Sequence, residues 1–110
     1  LVILNGPQYV EAARRLAERM LTEGGRTLDE RITYGFRLVT SRSPAAAELA
    51  IFQDAWRAGL KRYSKDGAAA LKLLKVGDSP YASGLDVKEL AAMADVARLL
   101  LNTSEAITKG

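Results

Sequence analysis

The sequence predicts an all-α fold, a compact bundle of about five helices around one core. Three observations predict it. Apolar residues recur at three- and four-residue spacing in five successive segments, the period of a helix with one buried face. Residues that start or stop helices fall between those segments, among them Pro7, Gly24-Gly25, Pro44 and Gly77. Nothing alternates apolar and polar for long enough to make a strand.

The first helix starts at Pro7, capped by Asn5 or Gly6, because proline's missing N–H has no helical partner in the first turn. Its apolar stripe is Tyr9/Val10, Ala13, Leu16/Ala17 and Met20/Leu21; Glu11, Arg14, Arg15, Glu18 and Arg19 take the polar face. Gly24-Gly25 ends it. Thr27-Leu28-Asp29-Glu30 reads as a capping box opening the second helix. Leu28, Ile32, Phe36 and Val39 form its stripe, with Gly35 on the same side permitting close helix approach. Thr40 to Ser43 is a turn. Ser43-Pro44 then reads as the cap and first turn of the third helix, whose stripe of Leu49, Phe52, Trp56, Leu60 and Tyr63 is expected at the centre of the core. A short fourth helix runs from about Asp66 to Val76, with Leu71, Leu73 and Leu74 apolar. Asp78 to Leu85 is a loop. The fifth helix starts at Asp86, with Glu89 three residues on, and carries Leu90, Met93, Ala94, Ala97, Leu100 and Leu101. Asn102-Thr103-Ser104 is expected to break or cap it.

The 110 residues make one domain by size, large enough to bury roughly 65% of the unfolded surface without a disulfide or metal. The net charge of +3 is a weak bias that favours solubility without implying nucleic acid. Leu1-Val2-Ile3-Leu4 is too short for a signal peptide's apolar region or a membrane span. With no initiator Met, it reads as the tail of an upstream element in a larger protein. There is no His and no Cys. Those residues carry most metal binding and most nucleophile–base chemistry. Catalysis would rest on Asp, Glu, Lys, Tyr or Ser, and no convincing arrangement of these is visible, so the chain reads as no enzyme.

An ordered set of segments carries a family resemblance: Leu4 to Ala13, Asp29 to Ile32, Phe36 to Pro44 with Glu48-Leu49, Val76 to Pro80, and Leu99-Leu100-Leu101-Asn102 through Glu105 to Thr108-Lys109. Together they resemble the C-terminal helical domain of unknown function in large planctomycete-type proteins that often carry a cytochrome-c-like domain upstream. The resemblance spans nearly the whole chain. Gly6 stands where an acidic residue is usual, and Ser41 where Gly is usual. The resemblance implies an exported, multidomain bacterial protein. Its haem would need a Cys-x-x-Cys-His motif elsewhere in that protein, so no cofactor is expected in residues 1–110. The resemblance supplies no mechanism.

The candidate site residues are basic. Arg57, Lys61, Arg62, Lys65, Lys72 and Lys75 face Asp66 alone within residues 57–75, a local charge of +5. They fit either a patch for nucleic acid or another polyanion or a solvated face whose long side chains cover apolar surface. The second is favoured, because Tyr63, the one nearby aromatic, falls on the core stripe. A helix-turn-helix reading of the second and third helices fails on Ala45 to Ala50, which offers no Arg, Asn or Gln to a base edge. Asp78-Ser79 lacks a His base and reads as a turn. Asp29-Glu30 and Asp86 with Glu89 sit where carboxylates meet helix dipoles. Arg37 and Arg42 flank a turn, within reach of Glu48 or of helix carbonyls. The function expected is a non-catalytic structural or protein-interaction module, with upstream domains or another protein as partner; the alternative is polyanion binding through residues 57–75.

Overall fold

The structure, a computed structural model, describes residues 6–77, 80–82 and 84–109, with the backbone alone for 104–109. Among the described residues five α-helices follow in order: α1 (Pro7–Glu23), α2 (Leu28–Thr40), α3 (Ala46–Lys65), α4 (Gly67–Leu74) and α5 (Val87–Lys109). The expected upstream tail Leu1–Leu4, the alternative cap Asn5 and the Asp78-Ser79 motif lie outside the described residues.

Local punctuation works as the residues demand. Thr27 Oγ1 accepts from the Glu30 amide at 3.1 Å, and Glu30 Oε1 accepts from the Thr27 amide at 3.0 Å, closing the capping box. Ser41 ends α2 in the left-handed region at φ 65, the conformation that glycine reaches most cheaply. Asp66 joins α3 to α4 by itself: its amide donates to Arg62 O at 3.0 Å and its Oδ1 accepts from the Ala69 amide at 3.0 Å. Asp86 Oδ1 accepts from the Glu89 amide at 3.0 Å at the start of α5.

Several boundaries and faces depart from expectation. α3 begins at Ala46, with Ala45 extended at φ −69 and ψ 161, so Ser43-Pro44 is an extended approach to the helix. Glu48 sets the start. It receives the Ala45 amide at 2.8 Å and both arms of the Arg42 guanidinium at 2.9 Å. α4 stops at Leu74, two residues short of Val76. α5 runs unbroken through Asn102 and Thr103 to Lys109. Both residues are only mildly poor helix formers and neither Gly nor Pro follows until Gly110, so the ladder continues. Asn102-Thr103-Ser104 is therefore helix interior.

The core centres on α5, where the aromatic stripe of α3 was expected. Leu90 to Ala94, Val96, Ala97 and Leu100 are all buried. α5 packs against all four other helices, most extensively against α1 and α3. An apolar surface on nearly every side suits a helix so enclosed. From α3, Phe52 and Tyr63 are buried and Trp56 is half-buried. Phe36 and Phe52 meet edge-to-face with ring centroids 6.0 Å apart. Two glycines allow close crossings. A Cβ on Gly35 would meet Met20 Sδ at 2.7 Å, as the sequence suggested, and one on Gly59 would meet Ala92 Cα at 3.0 Å.

The polar face expected for α1 is not all solvated. Arg14 is buried at 1% exposure. Its guanidinium donates to Leu74 O at 3.4 Å and to Glu11 Oε2 at 3.4 Å, while Nε has no hydrogen-bond partner among the described residues. A cation placed on the last carbonyls of α4 is favourable there. Glu18 Oε2 accepts from the Ala82 amide at 2.7 Å, so α1 also holds the connection from α4 to α5.

The Arg42–Glu48 pair makes a pH prediction. The guanidinium, then the Ala45 amide, hold the Glu48 carboxyl down from 4.5 to about 2. A depressed carboxyl contributes stability that is present above its unfolded value and lost as pH falls through its folded value. Arg42 also covers the Phe36 ring, its guanidinium carbon 4.9 Å from the centroid. Arg42→Ala is therefore expected to lower Tm by a few degrees at neutral pH. Melting curves of Glu48→Gln and wild type should differ at neutral pH and converge between pH 4.5 and about 2. A difference that persists unchanged through that window would refute the pairing.

Candidate functional site

α3, α4 and α5 border an open cleft of about 590 Å³, lined by Arg62, Tyr63, Asp66, Lys72, Asp95 and Arg98 with the apolar Ala68, Ala69, Leu73 and Val76. The single-residue joint at Asp66 makes it. α4 leaves α3 at once, and the space between them is bounded by the middle of α5.

Tyr63 is 2% exposed, and its hydroxyl donates to Asp95 Oδ2 at 2.9 Å. Burial raises the Tyr63 hydroxyl to about 12, assisted by the neighbouring Asp95 charge and the hydrogen bond to it. Burial also raises the Asp95 carboxyl, against the hydrogen bond from Tyr63 and the charges of Arg62 and Arg98. Both groups thus hold their protons more tightly than usual, and Tyr63 stays a hydrogen-bond donor at neutral pH. Asp95 Oδ1 has no hydrogen-bond partner among the described residues. Arg62, Lys72 and Arg98 make no ion pair among the described residues. The Arg62 guanidinium carbon lies 5.3 Å from the Tyr63 ring centroid.

Of the six basic residues singled out in the sequence, two reach this cleft, Arg62 and Lys72. Arg57, Lys61, Lys65 and Lys75 are exposed and do not line it. Arg57 pairs with Asp54 at 3.2 Å. Sequence reasoning placed Tyr63 in the core stripe and missed Asp95 and Arg98. The available signal was Asp95 itself, a lone carboxylate inside the apolar run from Leu90 to Ala97.

Three of the four carboxylates in the acidic pairs of the sequence are spent on structure. Glu30 closes the capping box, Asp86 caps α5, and Asp29 Oδ1 accepts from Gln53 Nε2 at 2.6 Å. Glu23 accepts from the Tyr34 hydroxyl at 2.8 Å and pairs with Arg19 at 3.4 Å, both of which lower its carboxyl. Among the described residues no group of three His, Cys, Asp or Glu side chains is placed to hold a metal ion. Among them, too, no helix is long and apolar enough to cross a membrane.

The family model described as PSD1: Protein of unknown function (DUF1553) matches residues 1–56. The match takes in α1, α2 and the first half of α3, and ends before the cleft residues. No curated protein and no solved structure matches the chain.

Proposed function

The chain belongs to the PSD1 family of proteins of unknown function (DUF1553), and from that membership and the surface of α3 and α4 we propose a non-catalytic helical module that docks an acidic protein surface. The observation that carries the reading is a run of exposed cations outside any ion pair among the described residues: Lys61, Arg62, Lys65, Lys72 and Lys75. Such a face steers an oppositely charged partner and contributes to association at low salt. Nucleic acid fits it less well, because Tyr63 is 2% exposed and offers no base a stacking platform.

The partner in this reading is the upstream part of a longer protein. The larger planctomycete-type setting, with a cytochrome-c-like domain ahead of this one and export from the cytoplasm, belongs to the same proposal. It is supported by the ordered resemblance of residues 4–44. The haem would reside in that upstream part, since residues 1–110 contain no His or Cys.

The test is binding of this domain to the rest of the longer chain, measured at low and high salt. Lys61→Glu, Lys65→Glu and Lys75→Glu combined should weaken binding by more than about tenfold at low salt and flatten its salt dependence. Equal affinity of the triple variant and wild type would sink the acidic-partner reading. Steep, salt-dependent binding to mixed-sequence RNA or DNA in place of protein would move the assignment to a polyanion binder.

A further inference from the structure

We propose that the cleft between α3, α4 and α5 binds a small anion that carries a hydroxyl beside its charged group, either a hydroxy acid or a hydroxylated phosphate ester. The volume, about 590 Å³, falls within the range of small-molecule sites. Arg62, Lys72 and Arg98 line it without ion-pair partners among the described residues. An anionic group would receive charge-assisted hydrogen bonds from them, and the two guanidinium groups suit the flat fork of a carboxylate or the oxygens of a phosphate.

The rest of the lining narrows the ligand. Tyr63 spends its proton on Asp95 Oδ2 at 2.9 Å, and Asp66 Oδ1 is taken by the Ala69 amide at 3.0 Å. Asp95 lines the cleft and keeps Oδ1 without a hydrogen-bond partner among the described residues, as Asp66 keeps Oδ2. It calls for a donor on the ligand close to the anionic group, and a hydroxyl supplies one. Leu73, Val76, Ala68 and Ala69 make the wall, which suits a short carbon skeleton. A metal cation is disfavoured by the three positive charges around the two unengaged carboxylate oxygens, Asp95 Oδ1 and Asp66 Oδ2. The site shares Arg62 and Lys72 with the docking face, whereas Lys61, Lys65 and Lys75 do not line it.

The experiment is an NMR titration of the 110-residue chain with glycerate and, separately, glycerol phosphate, following the resonances of Tyr63 and Asp95. Saturable shifts with dissociation constants between micromolar and millimolar are expected from at least one probe. The better probe identifies carboxylate or phosphate as the anionic group. Arg98→Gln should weaken that binding by about tenfold or more. Asp95→Ala, with helical circular dichroism retained, should still bind the anion but lose the preference for glycerate over propionate. The triple variant of the docking face should bind the probe as wild type does, which separates failure of one proposal from failure of the other. No saturable shift with either probe would overturn the inference. So would wild-type affinity in Arg98→Gln, or equal affinity of the unaltered protein for glycerate and propionate.

Discussion

Phe36→Ala is expected to destabilise the fold by about 3–5 kcal/mol, the usual cost of removing a buried phenyl ring and leaving its space behind. Phe36 is fully buried on α2 and meets Phe52 of α3 edge-to-face at 6.0 Å. The Arg42 guanidinium carbon lies over its ring, 4.9 Å from the centroid. Truncation therefore empties the α2–α3 contact and removes what Arg42 rests on. A fall in Tm of roughly 12 °C or more should follow. A change of only a degree or two would mean the ring does not occupy the position described.

Gly59→Leu carries the second large effect. Gly59 is buried where α3 crosses α5, and any Cβ there lies 3.0 Å from both Cα and Cβ of Ala92. Backbone stands in the way, so a leucine cannot be accommodated by turning one neighbouring side chain. Leaving glycine behind in a helix gains about 1 kcal/mol. Overpacking costs about 1–3 kcal/mol or more, and here the helices must part for the whole leucine, so the loss should prevail. Gly59→Ala should cost less. Ala92→Gly, which deletes one of the two opposing atoms, should recover part of that smaller loss; a double-mutant cycle reads the coupling directly. Additive effects at the two positions would show that the helices do not touch there.

How much of this was legible follows from the range of each interaction. The caps at Thr27, Asp66 and Asp86 are decided within three or four residues, and their positions could be read from the chain. The start of α3 could not. Two local signals compete there, Ser43-Pro44 and the bond from the Ala45 amide to Glu48, and the grip of Arg42 on Glu48 six residues on favours the second. Arg14 stands among charged neighbours, and its burial comes from Leu74, sixty positions away. The stripe of α3 is real, but α5 is apolar on more sides, and only packing shows which helix the others surround. The cleft was half visible. Arg62 and Lys72 stood in the basic segment, whereas Asp95 and Arg98 join them only because α5 passes behind the joint at Asp66. The family was legible as a helical domain of unknown function, and the matching model ends at residue 56, inside α3.

The place of α5 bears on synthesis at the ribosome. It is the last of the five helices to emerge, yet it is the surface on which the other four close. Tyr9 of α1 even donates to the Arg98 carbonyl at 3.0 Å, bridging nearly the whole chain. At translation rates of about 5–20 residues per second, α1 leaves the exit tunnel roughly 3–13 s before α5 arrives. For that interval the apolar stripes of α1, α2 and α3 have no permanent cover. The core can therefore be completed only once α5 has emerged, and until then the early helices expose the kind of apolar surface that a chaperone at the tunnel mouth binds.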